Sequence, residues 1–242
     1  NEKCDVNAIF TKIQKNTRTK ILEYSTLYYA IIRNQINIIN YLLSNPNIDV
    51  NFKRISRIFS DNVVNFDKST ILRIAILEKH YEIAKILLNH PKIDVNAISS
   101  VIEENKSCEA TPLLEEIVSE NPNVTLIEQF LSHPDLDVNL QFTQINNEKK
   151  KIITYLISLI NNDKIDLFKL FLSHPKIDVN QVFKIIDNQN LCNSTEITPL
   201  IFSIDQNKPE FVSLLLEHEN IDVNLQMCEK KDNSNKIMDP LN

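Results

Sequence analysis

The chain has 242 residues, 43% of them hydrophobic and 24% charged, and its 32 acidic side chains outweigh 26 basic ones for a formal net charge of −6. That balance argues against a nucleic-acid binder, which would carry a basic excess over a phosphate backbone. The apolar runs are too short to insert in a membrane and no secretory pattern opens the chain, so the expectation is a cytoplasmic protein whose Cys4, Cys108, Cys192 and Cys228 stay reduced.

In chain order, Asp5-Val6-Asn7 comes first, and the same three letters return five times. The aspartates fall at 5, 49, 94, 137, 178 and 222, in steps of 44, 45, 43, 41 and 44 residues. Each later copy closes a longer phrase, such as Leu87-Leu88-Asn89-His90-Pro91-Lys92-Ile93-Asp94-Val95-Asn96, matched at 42–51, 130–139, 171–180 and 215–224. A fixed period of this size means stacked units in place of one central core. The expected units are 25–51, 69–96, 111–139, 154–180 and 198–224, within a single array over 1–242.

Each unit opens on a hydroxyl residue: Ser25, Thr70, Thr111, Thr154 and Thr198. A hydroxyl there caps a helix N-terminus by accepting from an orphan backbone N–H. Twice a proline follows, Pro112 and Pro199, where its missing N–H costs nothing. The chain has no glycine at all. Asparagine and aspartate visit the left-handed region more readily than other side chains, so Asn34, Asp163 and Asn207 are expected to reverse the chain after the first helix. Lys79 holds that place less well, and around Asn121-Pro122-Asn123 two extra residues predict a bulged turn. The second helix follows, apolar on more than one side: Ile38, Ile39, Leu42 and Leu43 in unit one, Ile83, Ala84, Leu87 and Leu88 in unit two. It therefore packs on its own partner and on the next unit.

Helix pairs opened by Thr-Pro-Leu and closed by Asp-Val-Asn resemble the ankyrin repeat, whose signature is Thr-Pro-Leu-His-x-Ala with a period of about 33. The resemblance implies an all-α, ankyrin-type solenoid of stacked helix–turn–helix repeats with elongated finger loops. The departures are clear. The period is longer, and Tyr28, Arg73, Leu114, Ile157 and Ile201 stand at the histidine. Only Ala30 and Ala75 keep the alanine, where Glu116, Leu159 and Ser203 stand in the other units. The fingers span 8–24, 52–69, 97–110, 140–153 and 181–197. In the family they are often β-hairpins; here Ala8–Ile13 and Ala97–Ile102 show a helical pattern and predict an added helical turn. Asp5-Val6-Asn7 and Asp239-Pro240-Leu241 look like pieces of flanking repeats, so the array is expected to be cut at both ends.

Neither column of chemically able residues points to catalysis. His90, His133, His174 and His218 share one repeat position, but helices packed about 8–10 Å apart do not bring successive rings onto one ion, whose bonds are about 2 Å. The expected role is at the helix C-terminus, where the dipole favours a cation. The Asp-Val-Asn aspartates offer too few oxygens per loop for calcium and fit a turn-forming role. No catalytic, metal or cofactor residues are assigned, and no enzyme is expected.

The resemblance implies instead a protein–protein interaction scaffold using a concave groove and the fingers. The signature's fifth position faces that groove in the family and reads Tyr29, Ile74, Glu115, Ser158 and Phe202 here. Tyr29 and Phe202 would anchor a partner if exposed, or pack beneath the long fingers if not. Lys12, Lys15, Arg18 and Lys20 make the first finger basic, and Lys53, Arg54 and Arg57 the second. Such an edge suits an acidic protein surface or a cytoskeletal filament. The two other readings are a structural component along such a filament and the targeting array of a longer enzyme.

Overall fold

The computed structural model describes residues 5–15, 18–60, 63–104, 106–187, 194–225 and 228–230. Asp239–Leu241, Cys4 and Cys192 lie outside them. The chain divides into two compact units, Asn1–Leu140 and Gln141–Asn242.

The first unit runs β1 (Ile9–Lys15), β2 (Thr19–Ser25), α1 (Thr26–Ile32), α2 (Ile36–Leu43), β3 (Lys53–Ser60), β4 (Val63–Thr70), α3 (Ile71–Leu77), α4 (Tyr81–Leu88), β5 (Ser99–Glu103), β6 (Lys106–Ala110), α5 (Pro112–Val118) and α6 (Val124–Leu131). The second runs β7 (Gln141–Ile145), β8 (Lys149–Thr154), α7 (Tyr155–Asn161), α8 (Ile165–Leu172), β9 (Phe183–Asp187), β10 (Ser194–Ile197), α9 (Pro199–Asp205), α10 (Pro209–Leu216) and β11 (Cys228–Lys230).

The all-α expectation is thereby overturned. Every finger is an antiparallel pair of strands, and neighbouring fingers pair in turn, so β1 to β6 form a sheet in chain order and β7 to β11 another stretch of the same kind. The segments expected to add a helical turn are strands: Ile9–Lys15 pairs with β2 and Ser99–Glu103 with β6. Their apolar spacing fits either period over so short a run. Ladder partners decide the matter, β2 for β1 and both β4 and β6 for β5, since strand preference is mostly a matter of neighbours.

The helices obey the pattern read from the sequence. Ser25, Thr70, Thr111, Thr154 and Thr198 each accept from the backbone N–H three residues on. The turn after the first helix is left-handed at Asn34, Lys79, Asp163 and Asn207, with φ of 54°, 57°, 55° and 53°. The next N–H then reaches back to the carbonyl at the alanine position: Gln35 to Ala30 (3.0 Å), His80 to Ala75 (2.8 Å), Lys164 to Leu159 (3.0 Å) and Lys208 to Ser203 (2.9 Å). This closure satisfies helix-end carbonyls and holds even a lysine in a conformation costing roughly 1–2 kcal/mol. The 111–139 repeat solves the same problem differently. There Glu116 stands at the alanine position, 1% exposed, and its carboxylate accepts from Asn123 N–H at 2.5 Å. Burial pushes its carboxyl above the usual carboxylate range, while that hydrogen bond pulls it down.

Within the first unit α3 packs between α1 and α5, and α4 against α6; in the second α7 packs on α9 and α8 on α10. Leu27, Ile31, Leu72, Leu113 and Ile117 are buried along the first row, with Leu87, Leu126 and Phe130 along the other.

Beneath the helices the loops are tied side by side. In each Asp-Val-Asn the aspartate Oδ1 accepts from the asparagine N–H, at 2.9–3.0 Å. The asparagine side chain then crosses to the next repeat. Asn51 Nδ2 donates to Lys92 O at 2.7 Å, and its Oδ1 accepts from Asp94 N–H at 2.8 Å. Asn7 bonds residues 47 and 49 in this way, Asn96 residues 135 and 137, and Asn180 residues 220 and 222. Replacing Asn51 by leucine should cost about 2 kcal/mol, since two net bonds go and their partners are left behind. Asn51→Asp keeps the acceptor and should cost about half as much. Urea midpoints of the two variants check this; a leucine variant as stable as the parent would remove the bridge from the account.

The histidines stand just past their helices, where the N–H groups of His90, His133, His174 and His218 reach back to Leu87, Phe130, Phe171 and Leu215, and their Nδ1 atoms accept, at 3.2 Å, from the N–H of Lys92, Asp135, Lys176 and Asn220. Asn45 holds this place in the first helix pair and accepts from Asn47 N–H through Oδ1 at 3.0 Å. Burial first, then the Lys92 charge, push His90 below the ordinary imidazole value, and a hydrogen bond to the Leu43 backbone opposes them. A lowered pKa in the fold means that the unfolded chain binds the proton first. The contribution of His90 to stability should therefore be flat above about pH 6.5 and fall as pH drops below it. His90→Asn, following Asn45, should lessen the fall in melting temperature between about pH 7 and pH 5.

Candidate protein-binding surface

The residues expected to face a partner part company. Tyr29 is 44% exposed, whereas Ile74 is 4%, Ser158 5% and Phe202 9%. The Ser158 hydroxyl donates to Thr154 O inside its own helix. Phe202 meets Phe183, the first residue of β9, edge to face with centroids 5.5 Å apart. The finger therefore covers this aromatic. Glu115 is half-buried and accepts from Arg73, Nε at 2.9 Å and Nη2 at 2.8 Å.

The basic residues divide in the same way. Lys53 Nζ donates to Ile98 O at 2.8 Å, Arg54 pairs with Asp67 on β4, and Arg57 pairs with Glu23 on β2. Arg57 also lies over the Phe66 ring, 5.8 Å from its centroid. These three cations are spent inside the sheet. Lys12, Lys15 and Arg18 are exposed and Lys20 half-buried.

What remains gathers at one place. Because Phe10 stands directly across from Tyr24 in the β1–β2 ladder, their rings stack at 5.9 Å. Tyr24 stacks in turn on Tyr29 at 6.0 Å and touches Tyr28 at 5.8 Å. Arg33, the residue just past the end of α1, lies 5.4 Å from the Tyr29 ring centre and donates to its hydroxyl at 3.2 Å. Lys12 and Lys20 project from the same face of the hairpin as Phe10 and Tyr24, by the alternation of a strand. The result is a shelf of stacked rings, Phe10 49% exposed at its rim, flanked by ammonium groups.

Phe10, Tyr24 and Arg33 were not anticipated. Reading Ala8–Ile13 as helical hid the pairing across the hairpin; counting back from the cap Ser25 as a strand would have set Phe10 against Tyr24. Among the described residues no group of three or more histidine, cysteine, aspartate or glutamate side chains could hold a metal ion, and no helix is long and apolar enough to cross a membrane.

The same column should behave in opposite ways on mutation. Tyr29→Ala should change stability by under about 1 kcal/mol, while Ile74→Ala, buried and aliphatic, should cost about 2–5 kcal/mol. Thermal melts of both decide it; similar losses would mean that Tyr29 is part of the core.

Residues 6–99 match the family model of ankyrin repeats, in three copies. No curated protein matches the chain.

Proposed function

We infer that this chain, an ankyrin-repeat protein, works by binding another protein through the ring shelf of its first helix pair and the basic strand beside it. Ankyrin repeats are generally protein–protein interaction modules and typically do no chemistry of their own. One observation carries the particular surface: Phe10 and Tyr29 are exposed and stack on either side of the half-buried Tyr24, next to cations with no ion pair among the described residues.

The physical case has two parts. Stacked rings held from below by α1 lose little freedom when covered, so most of the apolar gain on burial is kept. Lys12, Lys15 and Arg18 steer an acidic surface toward the patch and select against a basic one. The partner fitted by this surface is a protein with an acidic patch around one or two apolar side chains.

The test is capture on immobilised protein, comparing the parent with the Phe10→Ala/Tyr29→Ala double variant. Tyr41→Ala is the control, since Tyr41 is 80% exposed and outside the ring stack. A partner should be held by the parent and by the control and lost by the double variant at unchanged helicity. Retention should weaken between about 0.05 and 0.3 M salt, where screening shortens to a few ångströms. Equal capture by all three proteins would overturn this surface.

A further inference from the structure

We propose that the back of the second finger, β3 and β4, is a separate docking surface, fitted to an amphipathic helix of a partner protein with carboxylates in its first turn. The proposal goes beyond the ring shelf and does not rest on it.

The first ground is register. Alternate residues of a strand share a face, and residues directly opposite in a ladder stand side by side. Ile21, Arg57, Phe66 and Ile102 therefore form one row across β2, β3, β4 and β5. Phe59 and Val64 form the next row toward the tip. Tyr24, three residues on from Ile21, turns to the other face and stacks on Tyr29 of α1, so these rows look away from the first helix. Val64 is 51% exposed, Ile102 41% and Phe59 37%, and the Arg57 guanidinium lies over the half-buried Phe66 ring. Single exposed apolar side chains are ordinary, whereas a contiguous group of them marks a contact surface. Each of β2 to β5 has a strand on both sides, so a strand added at a border of the sheet leaves this face unchanged.

The second ground is the contrast with the other fingers. Counted back from each helix cap, the place of Phe66 is held elsewhere by Ile21, Ser107, Lys150 and Ser194, and the place of Lys68 by Glu23, Glu109, Ile152 and Glu196. The second finger is the one that is aromatic at the first place and basic at the second. Arg57 on this face is paired with Glu23, and Lys53 donates to Ile98 O. Lys68 is exposed and has no ion pair among the described residues. The face thus keeps a positive charge beside its apolar rows, in a chain whose net charge is −6. A second copy of the face would bring another unpaired lysine, whereas a carboxylate-bearing partner complements it.

The third ground is shape. At the Phe66 row β4 is paired on both sides, so the backbone is spent and the face offers side chains. From Val64 to Lys68 the strand rises about 13 Å, which two to three helical turns of about 5.4 Å match. A helix laid along β4, apolar at i, i+3, i+4 and i+7, would cover Val64, Phe66 and Ile102 and set its first turn beside Lys68. Carboxylates in that turn suit the helix's own dipole as well.

The probe is the fluorescein-labelled peptide Ser-Glu-Glu-Leu-Ala-Glu-Leu-Leu-Ala-Gln-Leu-Ala-Ala-Gln, with binding to the whole chain followed by anisotropy. Val64→Ser/Ile102→Ser should bind it about tenfold more weakly or worse at unchanged circular dichroism, since both side chains are exposed and their burial is the main gain. Lys68→Glu should also weaken it, and should instead favour a version with lysine at each glutamate. A version with proline at the middle alanine should fail to bind, because proline breaks the helix. Phe10→Ala/Tyr29→Ala should bind like the parent. The proposal is overturned if the peptide does not bind, if the serine variant holds it unchanged, if Lys68→Glu does not reverse the charge preference, or if the proline version binds equally. Loss of the peptide by Phe10→Ala/Tyr29→Ala would overturn it in favour of the ring shelf, and self-association abolished by the serine variant would do so in favour of a second copy. Capture of a partner through the ring shelf is read separately, so either surface can fail while the other stands.

Discussion

The asparagine amide by which Asn7, Asn51, Asn96 and Asn180 tie their Asp-Val-Asn loops to the following repeat is the contact on which the remainder leans. An amide side chain offers one donor and one acceptor side by side, as a peptide group does. It can therefore replace a piece of β-ladder where two loops run past each other without being strands. Aspartate lacks the donor and leucine lacks both. The aspartate two residues earlier is equally constrained: its carboxylate accepts from the asparagine N–H and fixes the direction in which the amide points. Local turn and long-range bond are thus made by adjacent links of one motif.

With the loops pinned, the helices need only supply apolar faces, and the sequence displays these openly. Hydroxyl caps, left-handed turns and buried leucines could all be located from spacing, because each is decided within a few residues. Asn34, Asp163 and Asn207 take glycine's place because a short polar side chain tolerates positive φ. Lys79 does so too, since two backbone bonds close the turn around it. Where that device is absent, Glu116 replaces a carbonyl with a carboxylate, which no local pattern foretells.

The fingers were the illegible part. A run such as Ile9 to Lys15 carries no decisive period, and what makes it a strand is a partner reached through tertiary structure. The site suffered from the same blindness. Whether Tyr29 or Phe202 meets solvent depends on what the adjacent finger places over it: Phe183 covers Phe202, whereas Tyr24 stacks beside Tyr29 and leaves it open. The basic residues teach a similar lesson. Arg54 and Arg57 look like Lys12 and Lys15 in sequence, but their carboxylates lie 13 and 34 residues away and become visible only once the ladder is drawn.

The strand pairs differ in length, eight residues each in β3 and β4 but five in β5 and β6, while the asparagine contacts on either side stay within 2.7–2.9 Å. Spacing between repeats is therefore set at the base and is indifferent to how far each hairpin reaches. Hairpin tips are places where a chain accepts insertions at small entropic cost. Such a frame can lengthen, shorten or exchange one projection without disturbing its neighbours, so new specificities can be tried one hairpin at a time.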